Sequence, residues 1–194
     1  ELVIDLLNPA GQPERMQLVV RGYNDGFAFC YKIPDGKGPC VNVQSELTAY
    51  NFAGDYTAWF YNGENHNIGP EKLTETDGTR LPVMTVKAGD RHYMAIHEAC
   101  LETGAPLVLQ SKGGESLFSV ASKPADLSPG YTSAWRVVLY GTTPGVLTDS
   151  HLLELLNPDP DSRYDFSWVK PGLAVWDWRI NGAVWDGFTY GMSY

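Results

Sequence analysis

The chain has 194 residues, of which 43% are hydrophobic and 12% aromatic, a composition that suits a packed core and argues against disorder. Its 23 acidic and 14 basic residues give a formal charge of −9, which argues against nucleic-acid binding through phosphate neutralisation. A chain of this length suits one domain, or one domain and the beginning of another. No apolar run approaches the ~20 residues of a transmembrane helix.

Residues 15–91 alternate between short strand-like runs and turn residues. Asn24-Asp25-Gly26 lies between two such runs, and Asp-Gly supplies the positive φ angles that a tight turn needs. This segment therefore predicts a β-hairpin. The segment Glu46–Tyr61 repeats the pattern, with Gly54-Asp55 as its predicted turn.

Five further segments have the length and composition of strands. They are Pro82–Lys87, His92–His97, Pro106–Gln110, Ser116–Ser122 and Ala134–Tyr140. Many short strands separated by glycine and proline predict a mainly β protein, built as an antiparallel sandwich or barrel.

The pattern changes near residue 145. Val146–Leu156 has the character of a helix, with Thr148 or Asp149 as its predicted cap. The polar, proline-containing residues 158–167 predict a linker. Beyond it, Leu173–Trp178 is a short apolar run, which is typical of a strand buried on both faces in a parallel sheet. We therefore predict a sandwich over residues 1–157, a linker, and a second domain that begins at residue 168.

The three cysteines, Cys30, Cys40 and Cys100, do not give a complete disulfide framework because their number is odd. A Cys30–Cys40 bridge and free buried thiols both remain open, and free thiols are the more ordinary interpretation. The chain begins at Glu1 without a methionine, so we interpret it as a piece of a longer protein, and the absence of a visible signal peptide is therefore uninformative.

Several segments resemble glycoside hydrolase family 97 in their residues, order and spacing. Arg21–Tyr31 is similar to a family hairpin in which arginine and an Asp-Gly turn precede Ala-Phe-Arg-Tyr, with Cys30 in place of the last arginine. Ala95–Leu101 resembles the family's strand that ends in Thr-Glu-Ala before a leucine, with His97 in place of the threonine. Ser133–Val138 resembles the family's Trp-Arg strand. Two later segments, Trp168–Gly172 and Trp176–Trp178, resemble the family's entry into the first barrel strand.

This resemblance covers nearly the whole chain but only part of the family's protein. It implies a galactose-mutarotase-like super-sandwich, incomplete at its start, and the first strand of a catalytic (β/α)8 barrel within residues 168–194. The rest of the barrel and a small C-terminal β domain are expected after Tyr194. The implied activity is exo-acting, calcium-assisted hydrolysis of α-glucosides or α-galactosides, in a secreted, periplasmic or cell-surface protein. The 194-residue chain alone is expected to be inactive.

Glu98 is the candidate metal ligand. It ends a strand-like run among small and apolar residues, where a carboxylate is unusual. The resemblance implies that it binds a calcium ion shared with glutamates of the barrel, since Ca²⁺ takes 6–8 oxygen ligands. The alternative is a glutamate that is solvated at the strand end or paired with an arginine. His97 is expected on the opposite face of the strand and is not paired with Glu98 as a ligand.

Trp176, Asp177 and Trp178 are the candidate substrate-binding residues. At the C-terminal end of a first barrel strand, an indole would pack on a sugar face and Asp177 would bind a hydroxyl. Burial of both tryptophans in the barrel core is an equally good interpretation. In the segment Trp135-Arg136, we expect the arginine to bridge a carboxylate of the sandwich and the tryptophan to fill the core.

The catalytic residues are expected beyond Tyr194, because no pair of carboxylates in this acidic chain can be chosen as acid and base. Their separation would distinguish inversion from retention. Two non-enzymatic hypotheses remain. The 6 Trp, 11 Tyr and 7 Phe residues would suit a free carbohydrate-binding sandwich, or the interface of a structural assembly domain.

Overall fold

A computed structural model describes residues 1–7, 10–11, 13–61 and 68–173. The chain divides into two compact units, Glu1–Pro158 and Asp159–Tyr194. Residues 159–173, the described part of the second unit, contain turns but neither helix nor strand. Trp176, Asp177, Trp178 and nearly all of the expected barrel strand lie outside the described residues.

The first unit is mainly antiparallel β-structure, as the sequence predicts. In chain order its strands are β1 (Leu2–Leu7), β2 (Pro13–Tyr23), β3 (Gly26–Lys32), β4 (Val41–Val43), β5 (Ala49–Asn51), β6 (Thr57–Tyr61), β7 (Ile68–Lys72), β8 (Asp77–Ala88), β9 (His92–Ala99), β10 (Leu109–Lys112), β11 (Leu117–Val120), β12 (Ala125–Leu127) and β13 (Trp135–Gly141). A 3₁₀ turn at Leu73–Glu75 precedes β8, and the short helices α1 (Pro144–Asp149) and α2 (Leu152–Leu155) follow β13. No helix in the described residues is long and apolar enough to cross a membrane.

The strands form two layers that share β8. The large layer has the order β1-β2-β3-β13-β9-β8-β6-β7, and the small layer has the order β8-β10-β11-β5. Asp77–Arg80 of β8 pair with β10, whereas Met84–Ala88 pair with β9. Pro82 lies where the partner changes, which suits a residue that has no N–H to donate to a ladder. Strands β4 and β12 form a separate pair.

The main core lies between the two layers. Phe60, Met84 and Ile96 of the large layer meet Leu109 and Phe118 of the small layer, and all five are almost completely buried. The apolar residues occupy alternate positions along their strands, so one face of each layer is dry. The antiparallel sandwich predicted from the sequence is therefore confirmed.

A second core lies on the outer face of the large layer, under the helices. Ala28, Trp135 and Val137 of the strands pack with Leu152 and Leu156 of the helical segment. The predicted helix Val146–Leu156 is thus present in part, but it is split between α1 and α2.

The split has a local cause at Ser150. The Ser150 backbone is extended, and its hydroxyl donates to the Asp25 carboxylate at 2.5 Å while accepting the N–H of Leu152 at 3.2 Å. The predicted caps Thr148 and Asp149 are wrong, because α1 starts after Thr143 with Pro144 in its first turn.

The structure confirms one of the two predicted hairpins and contradicts the other. The hairpin at Asn24-Asp25-Gly26 is confirmed, with Tyr23 opposite Gly26 in the β2–β3 ladder. The hairpin with a turn at Gly54-Asp55 is wrong, because β5 pairs with β11 while β6 pairs with β7 and β8. The intervening residues carry the chain from one layer to the other, and the rings of Phe52 and Tyr56 pack edge to face along the way at 6.5 Å.

Candidate functional site

Glu98 faces the interior of the sandwich, directly across from Arg136 in the β9–β13 ladder. Both positions follow from strand alternation: Trp135 and Val137 point into the outer core, so Arg136 between them points to the other face. Ala99 likewise faces the outer core, and Glu98 before it faces inward. The sequence thus places a carboxylate and a guanidinium side by side on an otherwise apolar sheet.

Arg136 is the centre of a buried ionic cluster that we define as Glu46, Glu98 and Arg136. Their side chains are 16%, 13% and 4% exposed, respectively. Arg136 donates Nε–H to Glu46 Oε1 at 3.0 Å and Nη2–H to Glu46 Oε2 at 2.7 Å. Its Nη1 lies 3.6 Å from Glu98 Oε2. Arg136 is therefore bound by both oxygens of Glu46 and only approached by Glu98.

The Glu98 carboxylate is held mainly by the backbone. The Leu107 N–H donates to Glu98 Oε2 at 2.7 Å, and Leu107 itself is 1% exposed. Oε1 of Glu98 accepts no hydrogen bond from the described residues. One oxygen is thus fixed by a rigid donor while the other is left available.

The electrostatics of the cluster are dominated by burial and by Glu46. Burial alone would lower the pKa of Arg136, but the hydrogen bonds and the charge of Glu46 outweigh it and hold that pKa above its ordinary value. Burial also raises the pKa of the nearby Tyr50. Two carboxylates and one guanidinium leave the cluster with one net negative charge.

Two buried polar atoms of this region have no hydrogen-bond partner in the described part of the chain. They are Nη1 of Arg136 and the hydroxyl of Tyr50. Unpartnered buried polar atoms are rare in folded proteins, and an ordered water or an ion is a common partner of such atoms.

The cluster does not make a calcium site by itself. The described residues contain no group of three or more His, Cys, Asp or Glu side chains arranged to hold a metal ion. Ca²⁺ takes 6–8 oxygen ligands, and Glu98 offers one available carboxylate oxygen. This donor is of the right chemical kind, so the residues present fit one ligand of a shared site. The metal role of Glu98 stays a prediction.

His97 lies on the opposite face of β9 from Glu98, as strand alternation requires. Its Nδ1 accepts the backbone N–H of Glu98 at 2.7 Å. His97 lines an open groove of about 430 Å³ together with Trp59, Tyr61 and Thr85. This aromatic groove is the described surface that best suits the hypothesis of a sugar-binding sandwich.

The expectation for Trp135-Arg136 is confirmed. Arg136 bridges carboxylates of the same sandwich, and Trp135 is 7% exposed within the outer core. The guanidinium of Arg21 lies 4.7 Å from the centre of the Trp135 ring and covers its remaining face.

The three cysteines are free thiols. Cys30 is buried, as expected for the ordinary interpretation, whereas Cys40 is exposed and Cys100 is half-buried. Burial raises the pKa of the Cys30 thiol to about 11, so this thiol is inert at neutral pH.

Glu46 is the cluster member that sequence reasoning missed. It lies in the irregular segment between β4 and β5, and 90 residues separate it from Arg136. The only signal that could have found it is charge balance, because a buried arginine inside a sandwich needs a carboxylate.

Comparison with known proteins agrees with this architecture. The profile of the family described as Glycosyl-hydrolase 97 N-terminal matches residues 1–158. A retaining alpha-galactosidase of Bacteroides thetaiotaomicron is 27% identical over 81% of this chain and 30% of its own length. A probable retaining alpha-galactosidase of Streptomyces bingchenggensis is 31% identical over 87% of this chain and 27% of its own length.

Solved structures give the same fold. A family 97 glycoside hydrolase from Pseudoalteromonas sp. strain K8, in complex with acarbose, superposes with a TM-score of 0.69 at 24% identity. The match covers 83% of this chain and 27% of that enzyme. The chain thus spans less than a third of the length of the relatives it matches. It belongs to glycoside hydrolase family 97, and residues 1–158 correspond to the family's N-terminal domain.

Proposed function

We propose that this chain is the N-terminal sandwich and the beginning of the barrel of an exo-acting, calcium-assisted α-glycoside hydrolase. Family membership supports hydrolysis of an α-glycoside, and the names of both curated relatives favour α-galactosides with retention over α-glucosides. In retention one carboxylate attacks the sugar and a second acts first as acid and then as base. Both carboxylates belong to the part of the protein beyond residue 194.

The observation that carries this proposal is the fixed orientation of Glu98. The Leu107 N–H holds Oε2, and Oε1 accepts no hydrogen bond from the described residues. Glu98 is thus prepared to supply one ligand to a calcium ion whose other ligands come from the barrel. The bound ion would supply positive charge beside the sugar. Trp176, Asp177 and Trp178 complete the proposal as sugar contacts, in a secreted, periplasmic or cell-surface protein.

The experiment is hydrolysis of p-nitrophenyl α-galactoside and α-glucoside by the full-length protein, with calcium and after chelation. We expect turnover that falls on chelation and returns with added Ca²⁺. Glu98→Gln should raise the calcium concentration needed for half-maximal activity, and the exposed Glu102→Gln should not. Calcium-independent turnover, or equal calcium requirements in the two variants, would overturn the role of Glu98. Turnover by the 194-residue chain alone would overturn its proposed inactivity.

A non-catalytic carbohydrate-binding module is the second candidate, and the groove at Trp59, Tyr61 and His97 favours it. Its test is binding of malto- and galacto-oligosaccharides by full-length protein carrying Trp59→Ala or Glu98→Gln. Loss of binding in Trp59→Ala alone, in a protein without hydrolase activity, would support the module. Unchanged binding in Trp59→Ala would exclude the groove.

A further inference from the structure

Glu46 contacts Arg136 far more closely than Glu98 does. The two Arg136–Glu46 contacts are 2.7 and 3.0 Å long and use both carboxylate oxygens, whereas Nη1 and Glu98 Oε2 are 3.6 Å apart. A bidentate guanidinium–carboxylate pair is the strong form of this interaction, and 3.6 Å is beyond hydrogen-bond length. The positive charge of Arg136 is therefore already neutralised when Glu98 approaches it.

We propose that Glu46 is a positioning residue that holds Arg136 away from Glu98, so that the Glu98 carboxylate is not drawn into an ion pair and stays available to a divalent cation. This inference rests on the proposed calcium role of Glu98. Glu46 itself has both oxygens engaged by Arg136 and is not proposed as a ligand.

The net charge of the cluster indicates how the loss of Glu46 would affect cation binding. With Glu46 present the cluster carries one net negative charge, and with glutamine there it carries none. A buried arginine without a partner is strongly unfavourable, and the atom of Arg136 that already lacks a partner, Nη1, is the one nearest Glu98. Without Glu46 we expect Arg136 to turn to Glu98 and to compete with the cation for it.

The test is calcium affinity of the full-length protein measured by isothermal titration calorimetry. Loss of one buried negative charge near the ion should weaken binding by roughly tenfold in Glu46→Gln, although Glu46 does not touch the ion. Glu71→Gln is the matched control, because Glu71 forms a second half-buried arginine pair among the described residues, with Arg80 at 3.4 Å. Both variants should lower the melting temperature in the presence of a chelator, but only Glu46→Gln should weaken calcium binding.

A double variant separates positioning from mere stability. In Glu46→Gln/Arg136→Met the competing guanidinium is gone, while the Leu107 N–H still holds Glu98. Calcium affinity should return to within about twofold of the wild type, since the cluster again carries one negative charge. This variant also replaces Glu46→Gln as the test if the single variant does not fold.

Each outcome bears on a different claim. Equal calcium affinities in Glu46→Gln and Glu71→Gln, or a double variant about tenfold weaker than wild type, would overturn the positioning role alone. If the wild type binds no calcium, or Glu98→Gln binds it unchanged, the proposed calcium role of Glu98 fails and the role of Glu46 fails with it.

Discussion

At the scale of single residues, the chemistry of this domain is concentrated at Arg136. Its guanidinium is 4% exposed and would be very unfavourable there without Glu46. Buried ion pairs add little to stability compared with apolar residues of the same size, but breaking one leaves an uncompensated charge. The Glu46–Arg136 pair therefore adds little net stability to the sandwich, although each of the two charges depends on the other.

The energetic consequence can be measured directly. Arg136→Met leaves the half-buried Glu46 without its partner and should lower the free energy of unfolding by about 1–3 kcal/mol. Glu46→Gln/Arg136→Met removes both charges and should recover most of that loss. Urea unfolding of the two variants checks this, and a double variant less stable than the single would contradict it.

Gly26 is required by its backbone conformation as well as by close packing. It has φ +155°, and a Cβ there would lie 2.2 Å from the carbonyl oxygen of Val138. Gly26→Ala should therefore lower the free energy of unfolding by at least about 2 kcal/mol. Gly22→Ala is the control, because a Cβ at Gly22 meets nothing within 4 Å. Equal stabilities of the two variants by thermal unfolding would refute this account.

The cysteines differ enough in environment to be told apart chemically. Burial raises the pKa of Cys30 to about 11, and its side chain is 1% exposed, whereas Cys40 is exposed. Only the thiolate alkylates, so at pH 8 iodoacetamide should modify Cys40 rapidly and Cys30 only after unfolding. Because the folded pKa of Cys30 is raised, its contribution to stability is lost as pH rises from about 9 to 11. Peptide mapping after timed labelling checks the order, and early labelling of Cys30 would contradict its burial.

Sequence reasoning located part of the ionic cluster. Glu98 and Arg136 stood out because each is a charged residue within an apolar strand pattern. Glu46 did not, because its segment has no regular structure and only the fold brings it to Arg136 across 90 residues. Long-range pairing of this kind leaves no periodic signal along the chain.

At the scale of elements, strand positions were predictable and strand partners were not. Alternating or apolar runs marked β8, β9, β11 and β13: buried and more exposed positions alternate in β8 and β11, whereas β9 and β13 have buried residues on both faces. The same alternation cannot say which strand lies beside which, so β5 and β6 were predicted as one hairpin although they belong to different layers. The edge strand β1 was not predicted; its sequence is mostly apolar, yet most of its side chains are exposed in the structure.

The helical segment shows the competition between a local pattern and a tertiary contact. Val146–Leu156 has helical periodicity, but the Ser150 hydroxyl bonds to Asp25 in the β2–β3 turn and to the Leu152 N–H. Serine side chains offer the backbone such alternatives to a continuous helix.

The hydrogen bonds of the Ser150 hydroxyl should contribute to the stability of the domain. Ser150→Ala removes both hydrogen bonds and should lower the free energy of unfolding by about 1–2 kcal/mol. Thr148→Ala, two residues earlier within α1, should change it by less than about 0.5 kcal/mol. Chemical denaturation measures the free energy of unfolding of the two variants. A larger decrease in Thr148→Ala than in Ser150→Ala would contradict the role given to Ser150.

At the scale of the whole molecule, the large layer separates two surfaces of different character. Its inner face carries the core and the ionic cluster with Glu98, and its outer face carries the helices and the open groove at His97. Adjacent residues of one strand thus serve opposite sides of the domain. The fold class and the family followed from residues spread along the chain, whereas the pairing of Arg136 with Glu46 depends on contacts that only the fold creates.

A crystal structure of the full-length protein grown with calcium would show whether Glu98 is a calcium ligand. We predict a calcium ion with Glu98 Oε1 about 2.3–2.6 Å away, its other ligands drawn from the barrel, and Arg136 still bound to Glu46. A calcium ion bound elsewhere, with the Glu98 carboxylate bound only to Arg136 and Leu107, would contradict it.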